Sequence, residues 1–199
     1  MAGERRLQRR EQIIDVAAEC FAAANYADVP MEDIATRAGV TRMMLYRYFE
    51  SKDDIYTAVL DRVAEAITLE LASLQTPVTS DSVTRVHFAV AASNPAGYRL
   101  FWTRARSEPL FAGHTAALER RVHDVSAQLL AEWVDLGPMQ SWAGEVATRF
   151  TVSAALTYLD APDSGDPATV ETFASEGLSG VVTAWVQYSR ALANSAPPT

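Results

Sequence analysis

Apolar residues recur at three- and four-residue steps along nearly the whole chain, the mark of amphipathic helices. In residues 7–24 the stripe is Ile13, Ile14, Ala17, Cys20, Phe21 and Ala24, and Asn25 is expected to end that helix in the left-handed region. Pro30 opens a short helix over 31–38 with Glu32 and Asp33 in its first turn, and Gly39 breaks it. Thr41 starts a second short helix over 42–49. Ser51-Lys52-Asp53-Asp54 reads as a capping box for a helix reaching about Leu74, with Ile55, Val59, Val63, Ile67 and Leu71 facing inward. Ser80 caps a helix to Ser93, and Asn94-Pro95 is a cap followed by proline at the first helical position. A long helix is expected between Leu110 and Leu136, stopped by Gly137-Pro138, and another from Gln140 to Leu159. After a loop from Ala161 to Gly165, Asp166-Pro167 opens a last helix to about Leu192, and the Ala-Pro-Pro tail is expected to fray. Gly180-Val181-Val182 is strand-like only in isolation, because a helical period runs through it from Val170 to Tyr188. The expectation is an all-α protein of about nine helices, with short helices first and longer ones after residue 50.

The stretch 31–49, MEDIATRAGVTRMMLYRYF, carries the chemistry. Ile34, Ala38, Val40 and Leu45 are spaced to close two short helices on each other; Ala35 is small at their crossing and Gly39 permits the positive φ of a tight turn. This is the layout of a helix-turn-helix, whose second helix enters the major groove of duplex DNA. The helix start after Thr41 offers free N–H groups to a phosphate. Tyr46 and Tyr48 offer hydroxyls, while Arg42 and Arg47 reach phosphates or guanine edges. Lys52 sits in the first turn of the next helix, where it can face a phosphate. Thr36 and Arg37 complete the DNA-facing candidates of this segment. Arg5, Arg6, Arg9 and Arg10 form a basic N-terminal arm suited to phosphate or minor-groove contact. The plain alternative is two helices of an ordinary bundle.

Particular residues make the reading sharper. Arg10-Glu11-Gln12-Ile13-Ile14-Asp15 with Ala17 and Phe21, then Asp33-Ile34-Ala35, Ala38-Gly39-Val40-Thr41, Leu45-Tyr46, Tyr48-Phe49 and Ser51-Lys52, closely resemble the N-terminal domain of the TetR family of bacterial transcriptional regulators. The resemblance covers about the first 60 residues. It implies an N-terminal three-helix DNA-binding domain over residues 1–50 and a helical ligand-binding and dimerisation domain over 51–199. It also implies a homodimer that contacts operator DNA and dimerises through its last two long helices. Thr41, Tyr46, Tyr48 and Lys52 fall where that family contacts the DNA backbone, and Arg42 where it has a basic residue. Met43 and Met44 depart from the family's frequent Gly-Thr pair; two methionines can touch a thymine methyl but cannot bond strongly to a base. Val29-Pro30 replaces the usual hydroxyl cap of the second helix, and Asn25 a usual glycine.

Beyond residue 60 no motif names a ligand. His87, Phe88, Tyr98, Phe101, Trp102, Trp133, Trp142, Phe150 and Tyr158 are the candidate lining of a mainly apolar or aromatic effector site, with Arg104, His123 and Arg149 as further polar anchors; for each ring, core packing is the plain alternative. Val146, Phe150 and Ala154, with Ala174, Gly177, Leu178, Val181 and Trp185, are the candidate dimer interface, small residues allowing close helix approach. His87, His114 and His123 lack metal-ligand spacing, and no nucleophile elbow, P-loop or dinucleotide fingerprint is present. No metal, no cofactor and no catalysis are expected.

The chain has 199 residues, a net charge of −8 and a pI near 4.9. An acidic whole disfavours a protein that coats nucleic acid indiscriminately. The distribution qualifies this: residues 1–52 hold 8 basic and 8 acidic groups, residues 53–199 hold 9 and 17. All excess acid therefore follows Lys52. One cysteine, Cys20, excludes an internal disulfide and is expected to be a small buried residue. A charged start with no apolar h-region, and no apolar run of the ~18 residues that span a bilayer, give a cytoplasmic expectation without membrane contact. The function expected is a repressor that binds a palindromic operator and is released by a small-molecule effector. The alternatives are a ligand-independent DNA-binding regulator and a helical ligand-binding protein that has lost DNA binding.

Overall fold

The computed structural model describes residues 2–161, 163 and 165–195, and the Ala-Pro-Pro tail lies outside them. Among the described residues the regular elements are helices: α1 (Ala2–Ala23), α2 (Met31–Arg37), α3 (Arg42–Leu45), α4 (Lys52–Ala72), α5 (Ser80–Ser93), α6 (Pro95–Arg99), α7 (Ala112–Ala131), α8 (Gln140–Asp160) and α9 (Pro167–Ser195), with short 3₁₀ turns and one π-helical turn between them. The chain packs as two compact units, Met1–Glu65 with Asn94–Leu118, and Ala66–Ser93 with Glu119–Thr199.

The first unit is built on α1. Its stripe of Ile13, Ile14, Ala17 and Phe21 is buried against Ile34 and Ala35 of α2, Leu45 of α3 and the first half of α4, where Ile55, Tyr56, Val59, Leu60 and Val63 are also sealed. Burying one such side chain contributes about 1.5–3 kcal/mol. Local signals set the helix ends. Ser51 accepts from Asp54 N at 3.0 Å, and Asn94 accepts from Gly97 N at 3.0 Å. Tyr98, Phe101 and Phe111, from the 94–118 segment, complete this core. Phe111 stacks on Tyr56 with centroids 4.2 Å apart, and Tyr26 meets both rings edge-on.

Two expectations for this unit change. The helix that carries the basic residues starts earlier than its apolar stripe suggests: α1 begins at Ala2 and not near residue 7, because Glu, Arg and Gln are good helix formers even without an apolar stripe. Asn25 is extended (φ −66°, ψ 152°), not left-handed; it leads directly into a 3₁₀ turn over Tyr26–Asp28.

In the second unit α5, α8 and α9 pack on one another, and Leu130 and Val134 join Ala143, Ala147, Leu178 and Val182 in one cluster. Ala143 and Gly144 let α8 approach α7 closely; a Cβ at Gly144 would lie 2.6 Å from the Ala127 Cβ. The interior also holds polar groups, with His87 and Thr84 of α5 sealed and His123 nearly so. Burial, together with the neighbouring His123, pulls the His87 pKa down to about 4. No helix among the described residues is long and apolar enough to cross a membrane.

Candidate nucleic-acid interface

The two short helices are joined as their residues dictate. Gly39 takes φ +64°. Its N–H donates to the Thr36 carbonyl at 3.1 Å while the Val40 N–H reaches back to the Ala35 carbonyl at 3.0 Å. That bond pair is a Schellman motif, which needs a residue tolerant of positive φ at its centre. Thr41 then caps α3, accepting from Met44 N at 3.1 Å. The second helix is shorter than its sequence suggests. After Leu45 the backbone tightens into three-residue bonds, Arg47 N to Met44 O at 3.1 Å and Tyr48 N to Leu45 O at 3.0 Å. Regular helix therefore ends at Leu45 and not at Phe49, and Tyr46, Arg47 and Tyr48 are carried on a turn.

Leu45 is sealed in the core and anchors α3, so its neighbours face outward. Met43 is 77% exposed, Met44 38% and Tyr46 42%. Thr41, Arg42 and Arg47 are exposed and Tyr48 is half-buried. The Arg42 guanidinium forms an ion pair with Glu32 of α2 and lies 5.6 Å above the Tyr46 ring. The Tyr46 hydroxyl and the Glu32 carboxylate raise its already high pKa, so it is a permanent cation.

Beside α3 runs an open cleft of about 620 Å³, lined by Arg5, Arg6, Gln8, Arg9 and Gln12 of α1 and by Met44, Arg47 and Tyr48. Four guanidinium groups line it with no carboxylate among them, in a chain whose net charge is −8. Such a concentration of positive charge on an acidic protein is the electrostatic footprint of a polyanion site. Arg10 leaves the arginine row; its guanidinium covers the Phe49 ring at 4.9 Å.

Lys52 has other engagements. Its ammonium donates to the Tyr26 carbonyl at 2.8 Å and lies 4.3 Å from that residue's ring centroid. The Tyr26 hydroxyl donates to Asp53, and burial together with that carboxylate pushes the phenol pKa up. Thr36 and Arg37 are exposed at the end of α2, and Arg37 interacts with Cys20, whose thiol pKa burial pushes up. Cys20 is buried, as its sequence context suggests.

The other candidate residues divide between the units. Tyr98 and Phe101 are sealed in the first, Trp102 packing edge-on to Phe101 at 4.8 Å; Tyr98 has its pKa pushed up by burial. Both rings are core. In the second unit Phe88 and Tyr158 lie 6.1 Å apart and share a recess of about 160 Å³ with Ala89, Ala92 and Ala155. Trp133 borders a space of only about 20 Å³ with Ser126, Thr148 and Leu178. Trp142 is half-exposed and packs on Trp185 at 5.9 Å. Arg149 and Arg104 are exposed and hold partners of their own. Arg149 pairs with Glu145 at 2.8 Å, and exposed Arg104 donates to the Ala24 carbonyl at 3.3 Å.

The expected interface residues also separate. Leu178 is buried within its own chain and Trp185 packs on the α8–α9 core, so these two are largely spent internally, while Ala174 is buried at the floor of the α8–α9 groove. Phe150, Ala154 and Phe173 instead line an open apolar groove of about 410 Å³ between α8 and α9, and Phe173 is 76% exposed. Val146, Gly177 and Val181 are half-buried. Phe173 escaped the sequence reading because it sits inside the last helix's apolar period and looks like core. Glu32 escaped because its partner is on another helix. Among the described residues no group of three or more His, Cys, Asp or Glu is placed to hold a metal.

Comparison with known proteins agrees with this geometry. Residues 13–59 match the family described as bacterial regulatory proteins, tetR family. The HTH-type transcriptional activator FasR of Mycolicibacterium smegmatis is 36% identical over 102 residues, which cover 48% of this chain and 46% of that protein. The chain thus spans about half the length of that curated relative. Among solved structures, a TerR/AcrR-family transcriptional regulator from Aquifex aeolicus superposes with a TM-score of 0.73 at 17% identity, covering 87% of this chain and 99% of the other. The transcriptional regulator FadR from Bacillus subtilis, in complex with stearoyl-CoA, gives 0.69 at 19%, covering 85% and 97%. At such identities these two establish the fold.

Proposed function

We propose, for a chain that belongs to the tetR family of bacterial transcriptional regulators, that residues 1–50 are its DNA-binding domain and that it acts as a homodimeric, effector-released repressor. The observation that carries this reading is the cleft with four arginines and no carboxylate beside an outward-facing α3. Arg5, Arg6, Arg9, Arg47, Thr41, Tyr46 and Tyr48 hold phosphates, with Thr36 and Arg37 at the edge of the same face. Arg42, Met43 and Met44 meet base edges. Lys52 joins them only by giving up its bonds to the Tyr26 segment.

Two copies are needed because half-sites lie about one helical turn, roughly 34 Å, apart. The α8–α9 groove with Phe150, Ala154 and Phe173 is the surface for the second copy. Obligate interfaces are typically more apolar than the rest of the surface, and exposed rings of this size favour such a role. The effector is mainly apolar and enters the second unit near Phe88, Trp133 and Tyr158. The spaces there are small, so binding must part the helices, and a ligand that favours the parted state weakens operator binding by the same factor that operator weakens ligand binding. Long-chain acyl-CoA is the first effector to try, since a structural neighbour holds stearoyl-CoA. A second reading, activation, is favoured by the activator label of the 36% identical relative.

Nuclease footprinting on DNA flanking the chain's own gene tests the reading. We expect a protected palindrome with half-sites one turn apart, and release on adding stearoyl-CoA or a related acyl thioester. Absence of any protected site at low salt would overturn the DNA-binding assignment. Protection that no acyl thioester relieves would overturn the proposed effector class alone.

A further inference from the structure

Met43 is more exposed than any other large apolar side chain among the described residues, at 77%. It sits on a surface otherwise furnished with arginines and hydroxyls. In the free chain its neighbours have contacts of their own, Arg42 with Glu32 and Tyr46, Met44 with the wall of the arginine cleft and Leu45 with the core. Successive helical residues point about 100° apart, so Met43 is aimed away from Leu45, and it lies outside the residues that line the cleft.

A thioether has no donor and accepts only weakly. It cannot read a base by hydrogen bonding. Of the groups that base pairs present in the major groove, one is apolar, the C5-methyl of thymine. An unbranched, polarisable side chain is well suited to pack on a methyl. We propose that Met43 is a specificity-determining residue that selects a thymine, by its methyl group, in each operator half-site. This rests on the DNA-binding reading above and adds the base that the recognition helix selects.

Burial of one methyl is worth about 0.8 kcal/mol, close to a fourfold change in affinity, and about fifteenfold when both half-sites of a palindrome lose it. Deoxyuridine pairs as thymidine does and lacks only that methyl. The experiment replaces each thymine of the bound site with uracil, one symmetric pair at a time, and measures affinity by fluorescence anisotropy for the wild type and for Met43→Gln. At one thymine position the wild type should bind the uracil duplex about fifteenfold more weakly. Met43→Gln should bind uracil and thymine duplexes equally, within twofold. Because Met43 is exposed, the variant should fold with an unchanged melting temperature. Equal wild-type affinity for every uracil duplex, or a sensitivity that persists in Met43→Gln, would overturn the assignment of Met43 and leave the DNA-binding reading standing. Failure of the wild type to bind any thymine duplex would overturn the DNA-binding reading instead.

Discussion

Gly144 and Gly177 both sit on helices of the second unit, yet the same substitution should act in opposite directions. At Gly144 an added Cβ would lie 2.6 Å from the Cβ of Ala127 and 2.7 and 2.8 Å from its Cα and N. Two of those three atoms are backbone of α7, so relief requires a helix to move. Overpacking of this kind costs about 1–3 kcal/mol, and the better helix propensity of alanine returns up to ~1 kcal/mol. Gly144→Ala should therefore lose about 1–2 kcal/mol. For a chain of this length that is a melting temperature lower by roughly 2–8 °C. At Gly177 the nearest atom, 2.7 Å away, is the far end of the Phe150 ring, which is 37% exposed and free to swing. There the propensity gain dominates, and Gly177→Ala should melt at or slightly above the wild type. Thermal unfolding followed by circular dichroism, at equal protein concentrations, decides between them. A Gly144→Ala protein that melts as high as the wild type would refute the α7–α8 packing described here.

Other predictions follow from single residues. Burial holds the His87 pKa near 4 against the ordinary 6.5, so the unfolded chain binds this proton first as pH falls. Stability should be unaffected above pH 6.5 and fall by about 3 kcal/mol on acidification from 6.5 to 4. Urea titrations at pH 7 and 4.5 should show this component in the wild type and not in His87→Gln. Phe173→Asp, at an exposed site, should give folded monomers by light scattering, and an unchanged dimer would exclude the α8–α9 groove as the interface. Lys52→Gln should lower stability by about 1 kcal/mol through loss of its bond to the Tyr26 carbonyl. It should leave the salt dependence of DNA binding unchanged; a shallower dependence would show that Lys52 transfers to a phosphate.

The parts legible in the sequence were those written in short-range punctuation. Gly39, Thr41, Ser51 and Asn94 act within five residues of themselves, and each closes the turn or cap that its chemistry requires. The inward stripe of α4, from Ile55 to Leu71, follows from period alone, and all five residues are sealed. What escaped depends on partners distant in the chain or on the absence of an apolar period. The helical start of α1 has no buried stripe to announce it. The Glu32–Arg42 pair joins different helices, and Lys52 reaches across 26 residues to Tyr26. The list of aromatic residues mixed core with surface, because helical spacing cannot tell a ring that seals a unit, such as Phe101, from one left outward, such as Trp142. Among the DNA-facing candidates the residue types were readable, but the arginine cleft that gathers them was not, since it needs α1 and α3 side by side.

The central claim, that the arginine cleft holds DNA phosphates, is tested most directly by the salt dependence of binding to a footprinted operator fragment, compared between the wild type and Arg47→Gln. Each phosphate contact contributes about 0.9 to the slope of log affinity against log salt, so a dimer that loses Arg47 from both heads should have a slope shallower by about 1.8. An Arg47→Gln protein whose slope matches the wild type would contradict the claim.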